Sequence, residues 1–212
     1  MSSPVVELES VSKSYGRVPA LKDVTLRVLP GVSLGLIGRN GAGKTTLLRL
    51  MMGLLEPSRG VVRLFGGDPI TEAERVKLRV GYMDEDLMFP PQLKPCELFD
   101  FFEAAYPTWD RELLTALVDR FKVPCRRRLS SLSRGQQRQV SFLCAVAHRP
   151  ELLILDEPGR GLDPVFRRHF LEEVVALLLA ERTSVVFSSH NLVELEKVAT
   201  RVGILHDGRL IL

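Results

Sequence analysis

Apolar residues follow more than one rhythm along this chain. Over roughly the first thirty residues they alternate with polar ones, at Val6, Leu8 and Val11 and again at Val24, Leu26 and Val28. That period of two predicts half-exposed antiparallel strands. Leu34 to Ile37 is instead a short continuous run ending in a glycine-rich loop, after which Leu47, Leu48, Leu50, Met51 and Leu54 mark Lys44 to Leu55 as helical. Two further runs stop abruptly, Leu152 to Leu155 at Asp156 and Val185 to Phe187 at Ser188-Ser189-His190. A last one, Val202 to Leu205, ends in the turn His206-Asp207-Gly208 before Arg209 to Leu212. Helical patterns fill the gaps at Arg134 to His148, Val165 to Leu179 and Leu192 to Val198. Continuous strands alternating with helices predict an α/β fold, a mostly parallel sheet covered on both faces with an antiparallel β region before it.

The middle of the chain, about Lys94 to Arg128, breaks this rhythm. It has helical character, crowds Phe99, Phe101, Phe102, Tyr106 and Trp109 together, and contains no buried-strand run. We expect a single domain with a core of about 1–85 and 130–212 and an inserted helical subdomain of about 94–128. Pro90-Pro91 and Pro124 mark its edges. Arg126-Arg127-Arg128 has no interleaved aromatic residue and reads as a solvated loop.

Composition narrows the choice of function only by exclusion. The 212 residues carry 29 basic and 26 acidic side chains, a net charge of +3, which is no electrostatic footprint for a nucleic acid. With 45% hydrophobic and 26% charged residues the chain is of ordinary globular type, and this length supports a core without disulfides or metals. Cys96, Cys125 and Cys144 are odd in number and widely spaced in sequence, as expected of reduced thiols in a cytosolic protein. No apolar run reaches the ~18 residues of a spanning helix, and Met1-Ser2-Ser3-Pro4 does not open a secretory signal.

Local motifs supply the chemistry. Gly38-Arg39-Asn40-Gly41-Ala42-Gly43-Lys44-Thr45 fits the phosphate-loop pattern GxxxxGK[ST], between a buried strand and a helix. Successive backbone N–H groups of such a loop face phosphates, lysine adds a point charge and the Thr45 hydroxyl is a Mg²⁺ ligand. Asp156-Glu157 leaves the carboxyl end of a buried strand, where α/β sheets bind ligands. There Asp156 would hold Mg²⁺ through water and Glu157 would polarise an attacking water. These two features alone admit kinases, motors and GTPases.

Leu132-Ser133-Arg134-Gly135-Gln136, some twenty residues before Asp156, resembles the signature motif of the ATP-binding cassette (ABC) ATPases, with Arg134 where glycine is usual. Ser133 also has the chemistry of a helix N-cap, and the two readings are compatible because a capped helix start is an anion site. The resemblance covers essentially the whole chain and implies a P-loop NTPase core. It assigns Tyr15 to stacking on adenine, residues Gly38 to Thr46 to the phosphates (Thr46 included), and Ser133, Gly135 and Gln136 to the nucleotide of a second subunit. Glu85, in Gly81-Tyr82-Met83-Asp84-Glu85, takes the place of the usual Q-loop glutamine as a Mg²⁺ ligand, with Asp84 and Asp86 as neighbours in reserve. Gly161-Leu162-Asp163 resembles the D-loop, preceded by Gly159-Arg160 in place of a commoner Thr-Ser or Thr-Asn, and His190 resembles the switch histidine. His148, His169 and His206 match no motif and read as structural.

What the resemblance implies is a Mg²⁺-dependent ATPase, with Lys44, Glu157 and His190 catalytic and Thr45, Glu85 and Asp156 on the metal. One phosphate loop and one signature per chain imply a dimer formed on ATP binding, with itself or with another ABC subunit. A separate integral membrane permease would be the partner, on the inner face of the cell membrane, and no nucleic acid is expected. Its docking groove would be lined by Leu87 to Pro91 and by Phe99 and Phe102. Tyr106-Pro107-Thr108-Trp109-Asp110 is similar to a segment of bacterial exporter subunits, which points to export. A non-transport ABC ATPase acting on nucleic acid or ribosomes, and a small-molecule kinase, are the competing readings.

Overall fold

The computed structural model describes residues 3–85, 89–160, 162, 167, 170–171, 174–175 and 183–212. In chain order the first elements are β1 (Val6–Tyr15), β2 (Val18–Val28), β3 (Ser33–Ile37), α1 (Lys44–Met51), β4 (Arg59–Leu64), α2 (Ala73–Lys77) and β5 (Val80–Met83). They are followed by α3 (Pro95–Ala105), α4 (Arg111–Phe121), α5 (Arg134–Val146), β6 (Leu152–Leu155), β7 (Ser184–Ser189), α6 (Leu192–Val198), β8 (Arg201–His206) and β9 (Arg209–Ile211).

The alternating start of the chain forms a three-stranded antiparallel sheet in the order β2-β1-β4. Its buried positions change parity between Leu8 and Val11 because the register slips there, at Ser10, whose φ is 49°. Such a bulge moves one residue out of the ladder and returns the next apolar side chain to the core face. On β2, Asp23 (φ 53°) does the same, its N–H donating to Ser12 Oγ at 2.9 Å. The second sheet has the order β5-β6-β7-β3-β8-β9, parallel except for the β8–β9 hairpin. In a parallel array all carboxyl ends lie on one edge, so the loops after β3, β5, β6 and β7 converge there.

Several elements differ from the sequence reading. β4 and β5 are short strands that alternation and run length do not reveal. α1 ends at Met51 rather than Leu55, because Gly53 (φ 62°) turns the chain where a Cβ would meet the Pro69 carbonyl oxygen at 2.4 Å. α5 stops before His148. Of the Val165–Leu179 pattern, the described residues Arg167, Phe170, Leu171, Val174 and Val175 are helical.

Two apolar cores result. One lies between the antiparallel sheet, α1 and the strands beneath. The other joins α3, α4, α5 and β6–β7, where the Phe142 and Phe170 rings meet edge to face at 4.7 Å. The helical segment is fastened through Tyr106 to Asp110. The Tyr106 ring lies 4.1 Å from that of His148, Thr108 Oγ1 donates to the His148 carbonyl at 2.7 Å, and the Asp110 N–H donates to the Ala147 carbonyl at 2.7 Å. His148 is thus structural, and burial pushes its pKa down to about 4. Phe99 belongs to the core rather than to a groove, at 5% exposure, because its turn of α3 faces inward; Phe101, at 68%, is the outward ring. Cys96 and Cys125 are neighbours in space despite their sequence separation, the Cys96 N–H donating to the Cys125 carbonyl at 3.3 Å. Among the described residues no helix is long and apolar enough to cross a membrane.

Candidate nucleotide site

The loop after β3 enters α1 through Gly43, whose φ of 106° places the helix start in a conformation open to glycine. A Cβ at Gly43 would also meet the Ala20 carbonyl oxygen at 2.7 Å. No side chain caps α1, so its first N–H groups are left for a ligand, as an anion site requires. A cleft of about 590 Å³ opens over this loop, lined by Arg39, Asn40, Gly41, Gly43, Lys44, Thr45 and Thr46. Ala20, Glu85, Glu157, Arg160, Arg167 and His190 complete its wall.

Lys44 is buried, and its ammonium donates to the Gly38 carbonyl at 2.7 Å and pairs with Glu157 Oε1 at 3.3 Å. The other Glu157 oxygen, Oε2, lies 2.8 Å from His190 Nδ1. Glu157 therefore bridges the phosphate-loop lysine and the residue that closes β7. Its backbone sits at φ 46°, and its N–H donates to Ser188 Oγ at 2.8 Å. The Ser188 hydroxyl in turn donates to Asp156 Oδ1 at 2.6 Å. One serine so fixes both acids, a role the sequence does not signal beyond a polar residue ending a buried strand.

Asp156 is fully buried, and its pKa is raised, first by desolvation, against hydrogen bonds from Ser188 and Thr45 that lower it. Its Oδ2 is buried without a hydrogen-bond partner. A buried carboxylate oxygen left open beside a threonine hydroxyl, under a phosphate loop, suits Mg²⁺, which takes few protein oxygens and completes its shell with phosphates and water. Glu85 lines the same cleft and forms an ion pair with Arg160. Asp84 is engaged elsewhere, accepting from Tyr82 Oη at 2.8 Å and from Arg49 at 3.2 and 3.3 Å. Asp86 and the D-loop residues Gly161 and Asp163 lie outside the described residues. Arg138, on α5, was given no role by its sequence; it donates to the Glu85 carbonyl at 2.8 Å and to that of Glu157 at 3.2 Å.

The remaining predicted residues stand apart from the cleft. Tyr15 is half exposed at the end of β1, with the Lys13 ammonium 5.6 Å from its ring centre, and does not line the cleft wall. Ser133 caps α5, Oγ accepting from the Gln136 N–H at 3.2 Å while Gln136 Oε1 accepts from the Ser133 N–H at 3.0 Å. Ser133, Gly135 and Gln136 do not line the cleft that Lys44 occupies.

Parallel sheet, phosphate loop, strand-end acids and a histidine on Glu157 together define a P-loop nucleotide-binding protein. Residues 21–160 match the family model described as ABC transporter, and a shorter stretch, 126–196, matches an AAA domain described as a putative AbiEii toxin of a type IV toxin–antitoxin system. The ABC transporter ATP-binding protein YtrB of Bacillus subtilis is 34% identical over 206 residues, 97% of this chain and 70% of that protein. The Nod factor export ATP-binding protein I of Paraburkholderia xenovorans is 33% identical over 217 residues, all of this chain and 71% of that protein. Among solved structures, an ATP-binding subunit of an ABC transporter superposes with a TM-score of 0.86 at 30% identity, covering 97% of this chain and 88% of that one. The dimeric cassette MJ0796 gives 0.86 at 22% identity over 97% of this chain and 96% of that one, a likeness of fold. The chain belongs to the ATP-binding subunits of the ABC transporters, an ATPase family.

Proposed function

We propose that this subunit hydrolyses ATP to drive export through a separate membrane permease, against the cytoplasmic face of the membrane. One observation carries the catalytic reading: a single buried carboxylate, Glu157, touches both Lys44 and His190. Catalysis at a γ-phosphate is positioning and charge stabilisation. Lys44 would exchange Glu157 for phosphate oxygens, which releases the carboxylate to orient or deprotonate water, and His190 would contact the γ-phosphate while holding Glu157. Mg²⁺, when bound, supplies charge neutralisation at the phosphates; Thr45, Asp156 and Glu85 are the residues to hold it. Tyr15 would stack on the adenine, and Ser133, Gly135, Gln136 and Asp163 would act across a dimer, formed with a second copy or with another ABC subunit.

Export is supported by the name of the Nod factor relative and by the Tyr106–Asp110 segment. The helical segment of about 94–128 serves as a subdomain inserted in one ATPase domain. Phe89 and Phe102, meeting edge to face at 6.2 Å beside the exposed Phe101, would bound the permease groove; Leu87 and Met88 lie outside the described residues. The test is Glu157→Gln, which keeps the shape and the His190 contact but removes the base. ATP should still bind while turnover falls at least a hundredfold, about 2.7 kcal/mol in barrier. Turnover within threefold of wild type would remove Glu157 from this role.

A further inference from the structure

Glu157 stands in the left-handed region of the backbone, at φ 46°, although it has a side chain. A residue other than glycine keeps such a conformation only where its surroundings fix it. On one side its N–H donates to Ser188 Oγ at 2.8 Å. On the other its carbonyl accepts twice, from the Arg160 N–H at 3.0 Å and from the Arg138 guanidinium at 3.2 Å. The Arg160 N–H only closes the turn on itself, whereas Arg138 ties the turn to a separate element. Arg138 is half-buried in the second turn of α5, and its other terminal nitrogen donates to the Glu85 carbonyl at 2.8 Å. One planar fork therefore joins the loops that follow β5 and β6, and Glu85 and Glu157 on those loops both line the nucleotide cleft.

We infer, on the catalytic reading of Glu157 given above, that Arg138 is a positioning residue for hydrolysis: it holds the Glu157 main chain so that the carboxylate faces the attacking water. The Glu157 side chain hangs from a tight turn, and any rotation of the peptide after it swings the carboxylate. In the proposed reaction Lys44 leaves Glu157 for phosphate oxygens, which removes a 3.3 Å ion pair from the acid. His190 on the carboxylate, and Ser188 and Arg138 on the main chain, then define where the acid points. Arg138 itself does not line the cleft, and the phosphate loop belongs to other elements. Loss of its two hydrogen bonds should therefore reach the rate of hydrolysis and spare the binding of nucleotide.

The experiment measures kcat, KM and equilibrium ATP affinity in MgCl₂ for full-length wild type, Arg138→Met, Arg138→Lys, Glu157→Gln and the double variant Arg138→Met with Glu157→Gln. Methionine keeps an unbranched stem and a good helix propensity while removing every donor. Arg138→Met should lower kcat about tenfold to a hundredfold, the loss expected when a catalytic group is misplaced by about 1 Å, with KM and affinity within about twofold of wild type. Arg138→Lys, which can reach one carbonyl, should recover part of that loss. Beside Glu157→Gln, the Arg138→Met substitution should cost less than about twofold more, because residues that act as one unit are not additive. Rates are divided by the concentration of ATP-binding sites, so partial unfolding does not imitate the effect. Where Arg138→Met fails to fold, Arg138→Lys carries the test, its kcat falling below wild type at unchanged KM. An unchanged kcat, equal losses of kcat and affinity, or a full further loss beside Glu157→Gln overturns the positioning role. Turnover by Glu157→Gln alone within about threefold of wild type would instead overturn the catalytic reading of Glu157.

Discussion

Lys44 shows how a single side chain is held by two neighbours at once. Its ammonium is occupied by the Gly38 carbonyl and the Glu157 carboxylate, so in the proposed mechanism a phosphate would displace an acid that then becomes available for chemistry. Gly135 shows the opposite situation, a residue with space around it. A Cβ there would meet Leu162 Cδ2 at 3.4 Å and Ser133 Oγ at 3.9 Å, ordinary contacts. Within the fold, Gly135→Ala should therefore cost nothing, and the helix start gains about 0.5–1 kcal/mol from alanine. Its melting temperature should equal or exceed that of wild type. ATP-driven dimerisation in a Glu157→Gln background, followed by sedimentation, should nevertheless be lost, because the methyl group projects where an opposing phosphate would sit. A lowered melting temperature would mean that Gly135 serves packing.

At the scale of elements, α4 depends on the Tyr106–Asp110 joint. Asp110 is its N-cap, accepting from the Leu113 N–H at 2.8 Å, and also pairs with Arg149 at 2.6 Å. The Leu113 N–H first, and Arg149 second, lower the Asp110 pKa. Asp110→Ala should cost about 1 kcal/mol, as lost caps do, or roughly 2–4 °C in melting temperature for a domain of this size. The sign with pH follows from the lowered pKa. The unfolded aspartate binds its proton first as pH falls, so the contribution is complete above the ordinary carboxylate range and disappears below it. Wild type and variant should accordingly converge in stability under strongly acidic conditions and differ fully near neutrality, as denaturant titrations at both extremes would show. The exporter-like sequence of this segment thus has a structural occupation in this chain, as a fastening between helices.

For the whole molecule, His148 is a buried titratable group at the seam between helical segment and core. His148 is 1% exposed, and burial moves its pKa from an ordinary 6.5 to about 4. Between these values the unfolded chain binds a proton that the folded chain refuses, so stability falls as pH drops from 6.5 toward 4. His148→Leu should flatten this part of the melting-temperature profile, even if it lowers the plateau. A profile as steep in the variant as in wild type would assign the acid sensitivity to other groups.

The features legible in the sequence are those whose physics is local. Gly38 to Thr46 form a phosphate loop because successive backbone N–H groups need glycine and one lysine at fixed spacing. Ser133 and Gln136 cap α5 because residues three apart at a helix start reach each other's N–H groups. The buried runs that end at Asp156 and His190 announced parallel strands with chemistry at their carboxyl ends, and the early alternation announced the antiparallel sheet. Short pieces escaped, β4 and β5 among them, because a few residues acquire strand identity from their neighbours. Phe99 and Phe101 have the same chemistry two positions apart, and only packing sends one inward and the other to the surface. The working site was likewise decided by the tertiary structure. Ser188 reaches Asp156 across 32 positions and Arg138 reaches Glu85 across 53, while Lys44 meets Glu157 and Arg160 meets Glu85 from separate loops. No spacing rule encodes these meetings, because each depends on which strands become neighbours in the sheet. The sequence by itself pointed to the groups proposed to handle phosphate and metal, and the order β5-β6-β7-β3 decided which acid Lys44 meets.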